Sequence, residues 1–163
     1  MADMAPETEN LEVPEIPELL ESLLIQIIDE AKAKLEDEAE FAPFTAVVVG
    51  DQLIEQNHSG ETEECFASAE DTVKNTPDAI AYGFCFDGFI KTNEGDRDCI
   101  IAEGGMAGAE KGFAFGCLYN YDEKEGFSFD EDIYYLDEAP CYLADREAME
   151  LVSEEIIEES NED

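Results

Sequence analysis

Two adjacent rows of apolar side chains between residues 18 and 38 constrain the fold of this chain more than any other sequence feature. The rows are Leu19/Leu23/Ile27 and Leu20/Leu24/Ile28. Recurrence at three- and four-residue spacing is typical of an amphipathic α-helix, and Pro17 stands where a first helical residue is favoured. The segment is therefore predicted to be a helix that packs one of its rows on a sheet of the same chain.

The second row then needs a further partner, because a long exposed apolar stripe is unusual on a monomer. We expect that partner to be either a C-terminal helix around Val152 and Ile156 or the same helix of a second subunit. The second alternative predicts a homodimer. The residues predicted for such an interface are Leu20, Leu24, Ile27 and Ile28.

The remaining pattern predicts an α+β domain with an antiparallel sheet of five or six strands. A middle helix is expected over 61–74, and a C-terminal helix also fits the spacing. Strand-like runs lie at 44–49, 52–56, 79–86, 98–103, 112–121 and 127–136, and 89–92 starts the return after a turn. Turns are predicted at Gly50-Asp51 and Asp87-Gly88, and loops at 93–96 and 104–108.

The chain divides into three predicted parts. Residues 1–16 are interpreted as a flexible acidic leader, because Pro-bounded acidic turns bury little apolar surface. Residues 17–143 form a single α+β domain of ordinary size. Residues 144–163 are interpreted as an acidic tail that is either a docked helix or frayed.

The charge of the chain limits its partners. It has 44 acidic residues against 8 Lys and Arg, which gives a formal net charge of −36. A surface this negative repels nucleic-acid phosphates and anionic lipids, so we predict neither nucleic-acid nor membrane binding. It favours a protein partner with a basic surface.

The cysteines and the N-terminal residues predict a cytoplasmic location. Five cysteines, an odd number without a C-x-x-C pair, are typical of reduced thiols. The first residues lack the basic and apolar regions of a signal peptide. No apolar stretch is long enough to span a bilayer before a charge interrupts it.

Candidate sites are few. The segment containing Gly104, Gly105 and Gly108 resembles a phosphate-binding loop, but it lacks the G-K-[ST] ending and a following helix. It is interpreted as a mobile connection, with a ligand-covering loop as the alternative. His58 and Cys65 could suggest an imidazole-activated thiol, but we expect a surface histidine and a structural cysteine.

No catalytic, cofactor-binding or metal-binding residues are predicted. Carboxylate clusters such as Asp96/Asp98 and Asp122/Glu123 do not match an EF-hand loop, and they arise readily in so acidic a chain. The cysteines at 85, 99 and 117 lie in strand-like runs and are predicted to be small core residues.

Three short strings resemble a loosely defined group of uncharacterised bacterial domains of similar size. They are residues 40–44, 98–103 and 119–129. This resemblance implies no activity and no site residues. The order of predicted elements is similar to that of roadblock or profilin-like domains, which implies a dimerising scaffold or a ligand sensor.

Two functions remain open. The first is a non-catalytic interaction domain of the inhibitor, immunity or nucleic-acid-mimic type, which offers carboxylates to a basic protein. The alternative is a small-ligand sensor or a minor enzyme whose pocket lies under the glycine-rich loop at 104–112. In that case the acidity is a trait of the whole proteome.

Overall fold

The computed structural model describes residues 16–146, which contain two helices and seven strands. In chain order the elements are α1 (Glu18–Glu38), β1 (Phe44–Val49), β2 (Gln52–Asn57), α2 (Thr62–Lys74), β3 (Ala81–Thr92), β4 (Gly95–Met106), β5 (Lys111–Asp122), β6 (Gly126–Phe129) and β7 (Tyr134–Pro140). The predicted α+β class is confirmed, although the sheet has more strands than the five or six expected. The predicted C-terminal helix lies outside the described residues.

All strand pairs in the sheet are antiparallel. The strand order is β2-β1-β3-β4-β5. Beyond β4, β7 pairs with the first half of β5, from Lys111 to Gly116, and β6 pairs with its second half, from Tyr119 to Asp122. Within residues 16–146, β2 therefore forms an edge of the sheet.

Helix α1 covers one face of the sheet, mainly over β3 and β4. Its inward-facing residues are Leu20, Leu23, Leu24, Ile27, Ile28, Ala31 and Leu35. Beneath them the sheet carries Gly83 and Gly104. An added Cβ would lie 2.6 Å from Ile27 Cδ1 at the first and 3.0 Å from Leu24 Cδ2 at the second. The missing side chains let the helix lie close to the sheet.

Helix α2 covers the opposite face, over β1 and β3. It begins with a capping box in which the Glu61 N–H donates to the Glu64 carboxylate at 2.9 Å. The Phe66 ring meets the rings of Phe84 and Phe86 edge-on, each at 5.0 Å between centroids. Side chains alternate along a strand, so both β3 rings point away from α1.

The predicted turn at Asp87-Gly88 is wrong, because β3 runs through these residues without interruption. The chain reverses at Asn93-Glu94 instead. Gly88 has a packing role: an added Cβ would lie 3.0 Å from Ile101 Cδ1 on the paired strand. The Asp-Gly pair therefore makes room for a neighbouring side chain and does not turn the chain.

The single strand predicted over 127–136 is also wrong. Two strands replace it: β6 pairs with one half of β5 and ends at Phe129, and β7 begins at Tyr134 and pairs with the other half. The hairpin at Gly50-Asp51 is confirmed, and Gly50 adopts a φ of 63° that favours glycine. Neither α1 nor α2 is apolar enough along its length to cross a bilayer.

Candidate functional site

The glycine loop predicted to cover a ligand does not form at residues 104 and 105. Gly104 and Gly105 lie inside β4 and are buried, whereas Gly108 belongs to the turn that follows and has a φ of 83°. Leu24 fills the space above Gly104. Beside Gly105, an added Cβ would lie 2.6 Å from Cys141 Sγ. Close packing therefore requires these two glycines, and no room is left above them for a ligand.

The four predicted interface residues are buried within their own chain. Leu20, Leu24, Ile27 and Ile28 are each 0% exposed and belong to the core between α1 and the sheet. The expectation that one row needs a second partner is wrong, because the sheet is wide enough to cover both rows. Leu19, which is 41% exposed, is the member of the two rows that reaches the surface.

His58 is buried, with 3% exposure, and the prediction of a surface histidine is wrong. Its Nδ1 lies 2.8 Å from Ser68 Oγ on α2, and its Nε2 lies 3.1 Å from Thr45 Oγ1 on β1. Burial lowers the pKa of the imidazole, so the ring is neutral at pH 7. The prediction failed for a tertiary reason, because α2 folds back over the end of β2 and covers the imidazole ring.

Ser68 and His58 have the spacing of a nucleophile and a base, and Ser68 lines a groove of about 620 Å³ beside α2. A catalytic imidazole is usually oriented by a carboxylate on its second ring nitrogen. Here that nitrogen meets the neutral hydroxyl of Thr45. The three side chains therefore tie β1, the end of β2 and α2 together, and we assign them no catalytic role.

The cysteines are mostly packed into the interior of the domain. Cys65 is 3% exposed, as expected of a structural cysteine. Cys85, Cys99 and Cys117 are fully buried, which confirms their prediction as core residues. Burial raises the pKa of Cys99 to about 12 and the pKa of Cys85 well above its usual value. The Cys85 and Cys99 thiols are therefore protonated at neutral pH and poor nucleophiles.

The carboxylates do not form a metal site within the described part of the chain. No three His, Cys, Asp or Glu side chains of residues 16–146 converge closely enough to hold an ion. One partly buried contact joins the exposed Asp87 and the buried Tyr119, whose hydroxyl donates to Asp87 Oδ1 at 2.7 Å. Partial desolvation raises the pKa of Asp87, and the contact ties β3 to β5.

An acidic groove of about 570 Å³ lies at the end of α1, between its last turn and the β5–β6 hairpin. Its exposed carboxylates are Glu36, Asp37, Glu38 and Glu125. Its apolar wall is formed by Leu35, Phe127 and Tyr121, the last of which is 58% exposed. We call this feature the acidic groove.

No protein-family model, curated protein or solved structure matches this chain.

The charges in the acidic groove oppose the dipole of α1. The last turn of a helix carries partial negative charge and favours Lys or Arg. The last turn of α1 has no basic residue. It contains Glu36, Asp37 and Glu38, and each costs about 0.3–1 kcal/mol at such a position. Locally unfavourable choices of this kind are typical of functional sites.

Six of the eight basic residues of the chain are engaged elsewhere, whereas Lys124 lies in the β5–β6 turn next to Glu125. All eight lie within residues 16–146. Five form ion pairs, namely Lys32–Asp29, Lys34–Glu30, Lys74–Glu70, Arg97–Asp130 and Lys111–Glu138. The Arg146 guanidinium donates to the carbonyl oxygens of Lys74 and Thr76, at 2.7 and 3.0 Å, and closes the end of α2. None of these six basic residues contacts a carboxylate of the acidic groove.

Proposed function

We propose that this protein is a non-catalytic interaction domain that binds a basic protein, of the inhibitor, immunity or nucleic-acid-mimic type. The observation that carries the proposal is the acidic groove, in which an unfavourable helix terminus faces an acidic hairpin. The large excess of carboxylates over basic residues supports it, because most of the basic side chains are already engaged within the chain.

The chemistry of the acidic groove suits a Lys or Arg side chain. Such a side chain meets carboxylates from α1 on one side and from the hairpin on the other. Tyr121 adds an aromatic face, which attracts an exposed cation by about 0.5–1 kcal/mol. Its exposed ring also offers apolar contact to the methylene groups of the entering side chain.

The expected affinity depends on several basic residues acting together. An exposed ion pair contributes about 0.2–1 kcal/mol, so the acidic groove holds a single cation weakly. A segment with several basic residues adds these terms, and the net charge of the chain accelerates the encounter. Because charges beyond about 8 Å are screened at 0.15 M salt, we expect the affinity to fall as salt rises.

The alternative of a ligand pocket under residues 104–112 has no structural support at its proposed location. Gly104 and Gly105 are covered by Leu24 and Cys141, as described above. The partly buried Ser68–His58 pair has no orienting carboxylate among residues 16–146. We therefore advance the interaction domain as the single proposed function.

Fluorescence anisotropy with a labelled Lys- and Arg-rich peptide tests the proposal. The groove variant is Glu36→Gln with Glu38→Gln, and the matched control is Glu18→Gln with Glu21→Gln. Both pairs are exposed carboxylates of α1, and both variants lose the same charge. The two ends of a helix of this length are about 30 Å apart, so the control leaves the acidic groove unchanged.

We expect the wild type and the control to bind the peptide alike, and the groove variant to bind several-fold more weakly. Equal weakening in both variants would show that the peptide senses net charge, which contradicts the groove assignment. Absence of binding by the wild type at low salt would contradict the function itself. Thermal unfolding of both variants provides a control for folding. The groove variant should melt at a higher temperature than the wild type, because it removes negative charge from the negative end of the α1 dipole.

A further inference from the structure

The outer side of β2 is open within residues 16–146. All six residues of the strand are exposed, and β1 is its partner in the sheet. An open edge presents unpaired N–H and C=O groups to any other strand. Proteins usually protect such an edge with Pro, with charged side chains and above all Lys, with a bulge or with a very short strand. β2 contains no Pro or Lys, and its register with β1 has no bulge.

The hairpin register determines which backbone groups face outward. Residues of an antiparallel strand direct their N–H and C=O groups alternately to one side and the other. The His58 N–H donates to the Pro43 carbonyl oxygen at 2.8 Å, so the even-numbered residues of β2 bond to β1. The odd-numbered residues Leu53, Glu55 and Asn57 therefore present their backbone groups at the open edge.

The side chains along β2 are nearly uncharged, in contrast to the rest of this acidic surface. Glu55 is the single charged residue of the strand. Leu53 and Ile54 are 37% and 46% exposed. A groove of about 300 Å³ between β2 and α1 extends this apolar surface from Leu53 to Leu19.

We propose that β2 pairs with β2 of a second copy of this chain, so that the two sheets form one continuous antiparallel sheet in a homodimer. The same strand contributes both sides of the contact, as a two-fold axis requires. An axis perpendicular to the sheet relates the two strands, and both α1 helices then lie on the same face. This interface differs from the buried α1 rows, and it uses surface that is accessible in the described part of the chain.

A register centred on Ile54 is favoured. It places Ile54 opposite the Ile54 of the second copy, in a non-hydrogen-bonded pair whose Cα atoms lie about 4.5 Å apart. Leu53 then meets the second copy's Glu55, and both residues have outward-facing backbone groups. A register centred on Glu55 would oppose two carboxylates directly, which is unfavourable across a sheet.

A second copy fits this edge better than the basic protein of the proposed function. A basic partner is attracted to concentrated carboxylates, whereas β2 has the single charge of Glu55. A copy of β2 brings the same apolar and uncharged pattern to the contact. The repulsion between two chains of −36 is long-ranged and is screened beyond about 8 Å at 0.15 M salt. Dimerisation should therefore tighten with added salt, whereas binding of a basic peptide should weaken.

Size-exclusion chromatography with light scattering tests the oligomeric state of the full chain across dilution and salt. We expect twice the chain mass, with a dimer fraction that rises with salt. Glu55→Pro removes an outward N–H without removing a bond to β1, and it should be monomeric. Ile54→Lys is the second blocking variant if the proline variant fails to unfold cooperatively. Phe89→Lys, at an apolar β3 residue that is 60% exposed, is the matched control and should remain dimeric.

Cysteine cross-linking tests the register. Ile54→Cys should form a covalent dimer on mild oxidation, because the paired Cα atoms lie within disulfide range. Gln56→Cys, two residues along on the same face, is the control, since its counterpart would lie about 13 Å away. A monomeric wild type at high salt, a dimeric Glu55→Pro variant that is folded, or equal cross-linking of both cysteine variants would each overturn the proposal.

Discussion

Replacing Gly104 with alanine tests whether the glycine-rich segment is a packed strand or a loop. The added Cβ would overlap the Tyr82 carbonyl oxygen, and it would lie 3.0 Å from Leu24 Cδ2 and 3.2 Å from Gly83 Cα. Two of these three neighbours are backbone atoms of β3, which cannot rotate away as a side chain can. We therefore expect the two strands to be forced apart and the protein to be destabilised.

The size of the effect follows from two opposing terms. Overpacking a core typically costs about 1–3 kcal/mol. Replacing a strand glycine by alanine returns about 0.5–1 kcal/mol through the lower entropy of the unfolded chain. Because the backbone itself must move, we expect the free energy of unfolding of Gly104→Ala to be lower than that of the wild type by about 2 kcal/mol. This corresponds to a melting temperature lower by about 4–8 °C.

Gly88→Ala is the matched control in the same sheet. Its added Cβ would lie 3.0 Å from Ile101 Cδ1, the far end of a flexible side chain. Neither Gly88 nor Gly104 has a positive φ, so backbone strain does not enter the comparison. We expect Gly88→Ala to remain within about 1 kcal/mol of the wild type in urea unfolding followed by circular dichroism. Equal stability of Gly104→Ala and the wild type, or equal losses in both variants, would refute the packing role of Gly104.

The other predictions concern pH and thiol reactivity. Because burial lowers the pKa of His58 below 6.5, wild-type stability should fall as the pH drops below that value, and His58→Gln should lack this loss in urea unfolding. Partial desolvation of the Glu55 carboxyl, together with its hydrogen bond to Glu30, raises its pKa to about 7. Its contribution to stability should therefore decline between pH 4.5 and about 7, and a difference between wild type and Glu55→Gln that does not change with pH would contradict this. Thiol titration under non-reducing conditions should return five free thiols in denaturant, with the half-buried Cys141 reacting first in the native state; three or fewer would show that disulfides form.

Most of the elements near the N-terminus were predictable, because their signals are local. The spacing of apolar residues along α1 and the β-branched run before Gly50 each lie within a few consecutive residues. The errors occur where distant segments meet. Asp87-Gly88 has the composition of a turn, but the twelve-residue pairing of β3 with β4 continues through it.

The acidic groove was only partly predictable. The excess of carboxylates is visible in the composition, and so is the acidic stretch at Glu36, Asp37 and Glu38. Nothing in the local sequence indicates that the β5–β6 hairpin folds back to face that stretch. The exposed Tyr121 was likewise assigned to a strand, without any signal for the surface on which it lies.

Composition and short-range periodicity by themselves determined the α+β class, both helices, the first hairpin and the sign of the surface charge. These properties depend on neighbouring side chains or on sums over the whole chain. The tertiary structure decided that Gly104 packs under Leu24, that His58 is buried, and that β2 is an open edge of the sheet within residues 16–146. Each of these outcomes depends on which distant segments come into contact. Those contacts are selected by the burial of the whole core, and local sequence signals do not record them.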